Sequence, residues 1–237
     1  MRLSSPIYAL KRHAKRLARD NDIRLHEALD QIAAKEGFND WSHLASSSSK
    51  TTPAKEFMSQ LRSGDMVLIG ARPGHGKTLF GLELAALAEK NSRKSYVFSL
   101  EYNEADVRDR FAKLGLDQDA RARPTVLDTS DEICAAYIIE RLGHRPGEAL
   151  VVVDYLQLLD QRRSNPSLEE QVRALKTFAV ESRAIVVLIS QIDRSFDLSS
   201  SDMPGLGDVR LPNPLELSLF DKMCFLHDGD VQIEKAV

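Results

Sequence analysis

The residues with the clearest chemistry form one run, Ala71-Arg72-Pro73-Gly74-His75-Gly76-Lys77-Thr78. A lysine and a hydroxyl directly after a glycine-rich turn suit a polyphosphate. The backbone from Ala71 through Arg72, Pro73, Gly74, His75 and Gly76 can wrap close with its N–H groups inward. Lys77 can then reach the β- and γ-phosphates, and the Thr78 hydroxyl can ligate Mg²⁺. A second group lies downstream. Asp154 ends the apolar run Ala149-Leu150-Val151-Val152-Val153, and an acid at that point suits the Mg²⁺ shell of a phosphate-binding loop. The next residue is Tyr155, where many such ATPases place a water-activating glutamate, so the base must come from elsewhere. Glu101 follows Tyr96-Val97-Phe98-Ser99-Leu100 and can polarise water if that strand lies beside the other two. Gln191 closes Ile185-Val186-Val187-Leu188-Ile189-Ser190. An amide there can either sense a γ-phosphate or simply cap the strand.

These residues need strands that end at one edge. The run Met66-Val67-Leu68-Ile69 predicts a strand before the glycine loop, and Thr78–Lys90 a helix after it. The chain then alternates: strand Ser95–Leu100, helix Glu104–Leu114, a short strand Thr125–Leu127, helix Asp131–Leu142, strand Ala149–Val153, helix Leu168–Ser182 and strand Ala184–Ser190. Two final strands, Lys222–Leu226 and Val231–Glu234, flank a turn at Asp228-Gly229. Continuous apolar strands alternating with helices predict an α/β fold, a mostly parallel sheet with helices on both faces. A phosphate loop opening such a sheet makes it a P-loop NTPase.

Residues 1–45 read as a separate helical module. Ile7, Leu10, Ala14 and Leu17 recur at helical spacing, and Lys11, Arg12, Lys15, Arg16 and Arg19 line another face of that helix. The first 19 residues carry six Lys/Arg and no acid, a stripe that can contact DNA phosphates, stay solvated or dock on an acidic protein. A second helix spans Leu25–Lys35 and stops before Gly37, and Phe38, Trp41 and Leu44 are placed to close a small core. Ser46-Ser47-Ser48-Ser49-Lys50-Thr51-Thr52-Pro53 reads as a linker, which sets the divisions at 1–45, 46–54 and 55–237.

Composition narrows the class further. A net charge of −3 over 237 residues gives no global sign of nucleic-acid binding. Cys134 and Cys224 each lie in an apolar segment and are expected as core thiols in a reducing compartment. No apolar run is long enough to span a bilayer and no signal core is evident, so the expected location is cytoplasmic.

The order of these pieces resembles the RecA-like motor domain of DnaB-type replicative helicases. The resemblance runs through Ser63–Thr78, Phe98-Ser99-Leu100-Glu101, Val152-Val153-Asp154-Tyr155-Leu156-Gln157-Leu158 and Leu188–Ser195, and touches Asp208-Val209-Arg210. It covers roughly residues 60–230, and the Asp-Tyr-Leu-Gln run is more specific than either phosphate motif. It implies ATP in the glycine loop, a base at Glu101, Mg²⁺ at Asp154 and phosphate sensing at Gln191. It also implies single-stranded DNA as partner and a hexameric ring.

Three departures accompany it. Residues 1–45 do not look like the family's helical collar. The sequence stops at Val237 with Lys235 as the candidate remnant of the family's Lys/Arg finger and no arginine after it, and losing that finger would slow hydrolysis by several orders of magnitude. The segment Ser195–Val209, expected near the DNA channel, holds Asp197, Asp202 and Asp208 and no Lys or Arg. Two functions follow: a DnaB-like ATPase acting on DNA, or a nucleotide-gated module that binds a protein partner with slow or no hydrolysis. A small-molecule kinase ranks below both, because the Asp-Tyr-Leu-Gln and Gln191 segments suggest no acceptor pocket.

Overall fold

The computed structural model describes residues 4–5, 7–47, 52–113, 125–143, 147–162, 164–199, 201–211 and 213–235. The chain divides into two compact units, Met1–Glu56 and Phe57–Val237.

In the first unit, α1 (Ile7–Asp20), α2 (Leu25–Lys35) and α3 (Trp41–Ser47) surround a small core. Leu10, Ala14, Ala28, Ile32, Ala33 and Leu44 are buried, with Ile7, Leu17, Phe38 and Trp41 packed against them. The apolar spacing of α1 therefore faces inward as its sequence predicts. Gly37 takes a φ of 84°, the left-handed turn that ends α2 at little steric cost. Of the linker expected at 46–54, residues 46–47 finish α3 and residues 53–54 open a further helix, α4 (Pro53–Gln60). Proline at the first position of α4 fits a helix start, since its missing N–H would have no intrahelical partner there. Residues 48–51 lie outside the described residues.

The second unit is built on β1 (Met66–Ala71), β2 (Lys94–Ser99), β3 (Val126–Asp128), β4 (Ala149–Asp154), β5 (Ile185–Gln191), β6 (Lys222–His227) and β7 (Asp230–Lys235). Their order is β3-β2-β4-β5-β1-β6-β7, parallel throughout except for the β6–β7 hairpin. The helices are α5 (Lys77–Lys90), α6 (Glu104–Lys113), α7 (Ala135–Leu142) and α8 (Leu168–Ser182). Strands β1 and β4 are buried along their whole length, which is why they read as unbroken apolar runs and not as alternation.

Two local departures have plain causes. Helix α7 begins at Ala135, four residues later than its apolar pattern suggests, because Cys134 serves as its N-cap and accepts a hydrogen bond from the Tyr137 N–H at 3.5 Å. Cys134 is thus half-buried at a helix end and not a core thiol, whereas Cys224 is fully buried and its thiol pKa is pushed far up by desolvation. Helix α8 starts where expected, with a capping box formed by Ser167 and Glu170.

Helix α5 lies close against the sheet because Gly81 has no side chain. A Cβ there would stand 2.8 Å from Ile189 Cδ1 and 3.1 Å from Val152 Cγ1. Gly81→Leu is expected to lower stability by about 1–3 kcal/mol through overpacking, outweighing the gain in helix propensity. Urea denaturation checks this, and an unchanged midpoint would exclude the packing account.

Candidate functional site

The parallel register brings the candidate residues to one edge of the sheet. At the carboxyl ends Ala71 of β1 lies beside Gln191 of β5, Ile189 of β5 beside Asp154 of β4, and Asp154 beside Ser99 of β2. Strand β2 therefore neighbours the strand that carries Asp154, the condition for Glu101 to belong to the site. Glu101 lies two residues past the end of β2, where its N–H donates to Ser99 Oγ at 3.1 Å.

The glycine loop connects β1 to α5. Gly74 and Gly76 adopt φ of 83° and 86°, and among the described residues no heavy atom beyond their chain neighbours stands within 4 Å of where a Cβ would be on either. Left-handed backbone with open space beside it is the cradle that a phosphate chain needs. Lys77 opens α5, and its side chain is 8% exposed. Its Nζ lies 3.5 Å from Asp154 Oδ1 and 3.6 Å from Glu101 Oε2, and 5.6 Å from the centre of the Tyr155 ring. One ammonium is thus held between two carboxylates and beside an aromatic face. Asp154 is 1% exposed, and its Oδ2 has no hydrogen-bond partner among the described residues. A buried carboxylate oxygen without a partner is costly unless something binds it. Thr78, half-buried at the start of α5, carries the other oxygen donor that could serve Mg²⁺ beside Asp154.

Gln191 is engaged on its outer side. Its carbonyl accepts the Arg210 N–H at 2.8 Å, and its Oε1 accepts from Arg210 Nη1 at 3.5 Å. Gln157, from the Asp-Tyr-Leu-Gln run, donates from Nε2 to the Arg210 carbonyl at 2.9 Å. That run therefore ties the turn after β4 to the segment that returns along β5.

Several contacts carry no sequence signal of their own. Arg72 donates from Nε and Nη2 to Asp197 Oδ1 and Oδ2 at 3.0 and 2.8 Å, and from Nη1 to the Ile192 carbonyl at 3.1 Å. The hydrogen bond from Arg72 holds the Asp197 carboxyl below the ordinary carboxylate range, with smaller contributions from the charges of Arg72, His227 and His75. The segment 195–209 is thus anchored to the glycine loop at Asp197. The partners Arg72–Asp197 are 125 residues apart, so no local pattern could have joined them. Tyr155 beside Lys77 was signalled only by the aromatic residue standing where a glutamate is common.

The basic stripe of α1, Lys11, Arg12, Lys15, Arg16 and Arg19, lies in the first unit, with Lys11, Arg16 and Arg19 exposed and Arg12 and Lys15 half-buried. The side chain of Lys235 lies outside the described residues. No described helix is long and apolar enough to cross a membrane.

Sheet order, glycine loop and carboxyl-edge acids together define a RecA-like P-loop domain. Two solved structures share this fold. One is described as an ATPase domain (TM-score 0.59, 22% identity, covering 83% of this chain and 87% of that one). The other is a DnaB-like replicative helicase described with its interactions with primase (TM-score 0.59, 20% identity, 97% and 71%). The family model for the DnaB-like helicase C terminal domain matches residues 49–131 and 118–236. The chain belongs to that family. Among its relatives are the replicative DNA helicases DnaB of Leifsonia xyli subsp. xyli, 28% identical over 74% of this chain, and of Geobacillus stearothermophilus, 26% identical over 76%. The chain spans about half the length of these relatives, 45% and 46%.

Proposed function

We propose that this protein binds ATP with Mg²⁺ and hydrolyses it in a DNA transaction such as replication. The convergence of Glu101 and Asp154 on Lys77 Nζ, at 3.6 and 3.5 Å, carries the reading. The loop from Ala71 to Gly76 would wrap the phosphates with its backbone N–H groups, Pro73 supplying none, and Lys77 would neutralise the β- and γ-phosphates. Thr78 and Asp154 would hold Mg²⁺, which supplies charge neutralisation when bound. Glu101 is 39% exposed, so it can meet water while facing the site, and it serves as the base that orients and deprotonates the attacking water. Gln191 senses the γ-phosphate and passes its state to Arg210 through the contact they share. In the first unit, Lys11, Arg12, Lys15, Arg16 and Arg19 contact DNA phosphates.

A second reading, a nucleotide-gated module that binds a protein partner, is favoured by the Arg72–Asp197 pair, which ties the nucleotide loop directly to the segment 195–209. ATP turnover measured with and without single-stranded DNA, alongside mass by light scattering with ATP bound, separates the two. Stimulation by DNA and a hexameric mass support the DNA-acting ATPase. Nucleotide binding with an unstimulated rate and a monomeric mass would sink it and leave the gated module. If α1 reads phosphates, Lys11→Gln with Arg19→Gln lowers the slope of log affinity against log salt by up to about 1.4 for single strands, at about 0.7 per phosphate contact. An unchanged slope removes α1 from the interface.

A further inference from the structure

The β6–β7 turn brings a second chemical cluster to the glycine loop. His75 is the loop residue between the two left-handed glycines, His227 ends β6 and Asp228 begins the turn. The imidazoles of His75 and His227 stack with centroids 4.7 Å apart and planes 6° from parallel, and Phe196 closes the other side of His227 edge-on at 5.1 Å. The Asp228 carboxylate spans both rings. Its Oδ1 lies 3.5 Å from His75 Nδ1, and its Oδ2 lies 3.8 Å from His227 Nε2. One donor atom from each of the three residues falls within 4.8 Å of the others. The cluster borders a cavity of about 440 Å³ lined by Pro73, Gly74, His75, Gly76, Asp228 and Gly229.

A structural role accounts poorly for the second imidazole. His227 Nε2, the nitrogen that faces the Asp228 carboxylate, is too far from it for a hydrogen bond. A phenylalanine would pack as well. Two imidazoles and one carboxylate are, by contrast, the donor set of a three-ligand site for a borderline divalent cation with one open position. Hard Mg²⁺ favours all-oxygen surroundings and does not suit it.

The geometry points to a binding site for Zn²⁺, or a cation of similar chemistry, formed by His75, His227 and Asp228, that fastens the nucleotide loop to the β6–β7 turn. Tetrahedral bonds of about 2.0–2.1 Å set donors about 3.3 Å apart, close to the 3.5 and 3.8 Å carboxylate–imidazole separations, and one imidazole must turn out of the parallel stack for both ring nitrogens to aim at one ion. The Asp228 N–H, which donates to His75 Nδ1 at 3.0 Å, must be displaced. The Asp228 side chain is 72% exposed, and in so open a turn that N–H can pass to water. The fourth position would be left to water or to a phosphate oxygen.

The test is titration of the full chain with Zn²⁺ by calorimetry, and with Co²⁺ by its visible d–d bands, without nucleotide or Mg²⁺. The outcome is then independent of whether the glycine loop holds ATP. Two variants keep the fold. His227→Phe retains the stacked ring, and Asp228→Asn suits the left-handed backbone at this residue, where φ is 48°. We expect one Zn²⁺ per chain, tetrahedral Co²⁺ bands, and an affinity at least about tenfold weaker in each variant. No uptake by the wild type, or uptake that both variants leave unchanged, overturns the site.

Discussion

Lys77→Ala is expected to weaken nucleotide binding and turnover together. The ammonium is set between Asp154 and Glu101, at 3.5 and 3.6 Å, and it starts the helix that follows the glycine loop. A charge-assisted hydrogen bond to a phosphate contributes about 1.5–3 kcal/mol, which sets the expected affinity loss at between about tenfold and a hundredfold. Turnover should fall further, by about 10²–10³, because the same charge stabilises the transferring phosphoryl group. The variant also leaves the buried Asp154 without its cation. Part of the loss could therefore arise from destabilisation, since breaking a buried pair costs about 3–5 kcal/mol. Lys77→Met keeps most of the volume and so removes only the cavity contribution; Asp154 is left equally unpaired, and the stability of each variant must be read beside its affinity. Fluorescent-nucleotide titration and phosphate release, with urea denaturation of the same samples, provide the readouts. A folded Lys77→Met chain that binds nucleotide like the wild type would refute the proposed site.

Glu101→Gln should act differently. Glutamine keeps the shape and still accepts a hydrogen bond, but it cannot take a proton from water. Turnover should drop by about 10²–10⁴, the range for a positioned general base. Affinity should hold or rise, because Lys77 loses one competing carboxylate and its charge becomes more available to the phosphates. Wild-type turnover in Glu101→Gln would move the base elsewhere. Asp154 is the poorer alternative: it is 1% exposed and its free oxygen is suited to a metal and not to bulk water.

Both predictions rest on residues visible in the sequence, for a physical reason. A buried parallel strand must be apolar along its length, so Met66–Ile69, Ala149–Val153 and Ile185–Ile189 announce themselves, and the first polar residue past each one marks the carboxyl edge. Glycines that must take left-handed backbone mark the loop, and a hydrophobic stripe marks α1. These are local properties. Where local signals ran thin, the fold differed. The hydroxyl-rich stretch before Pro53 hid the start of α4, and the apolar pattern at Ile133-Cys134 hid a helix cap.

The sequence alone determined the family, the α/β alternation, the glycine loop and the identity of Lys77, Thr78, Glu101, Asp154 and Gln191 as the residues to watch, because each is set by its own strand or turn. Only the tertiary structure decided that β2 lies beside β4, bringing Glu101 to Lys77, that Tyr155 flanks the lysine, that Asp197 holds Arg72, and that His75, His227 and Asp228 meet. Those pairings join residues up to 153 positions apart. Strand order and the packing of the crossovers between strands bring them together, and no short window of sequence encodes either.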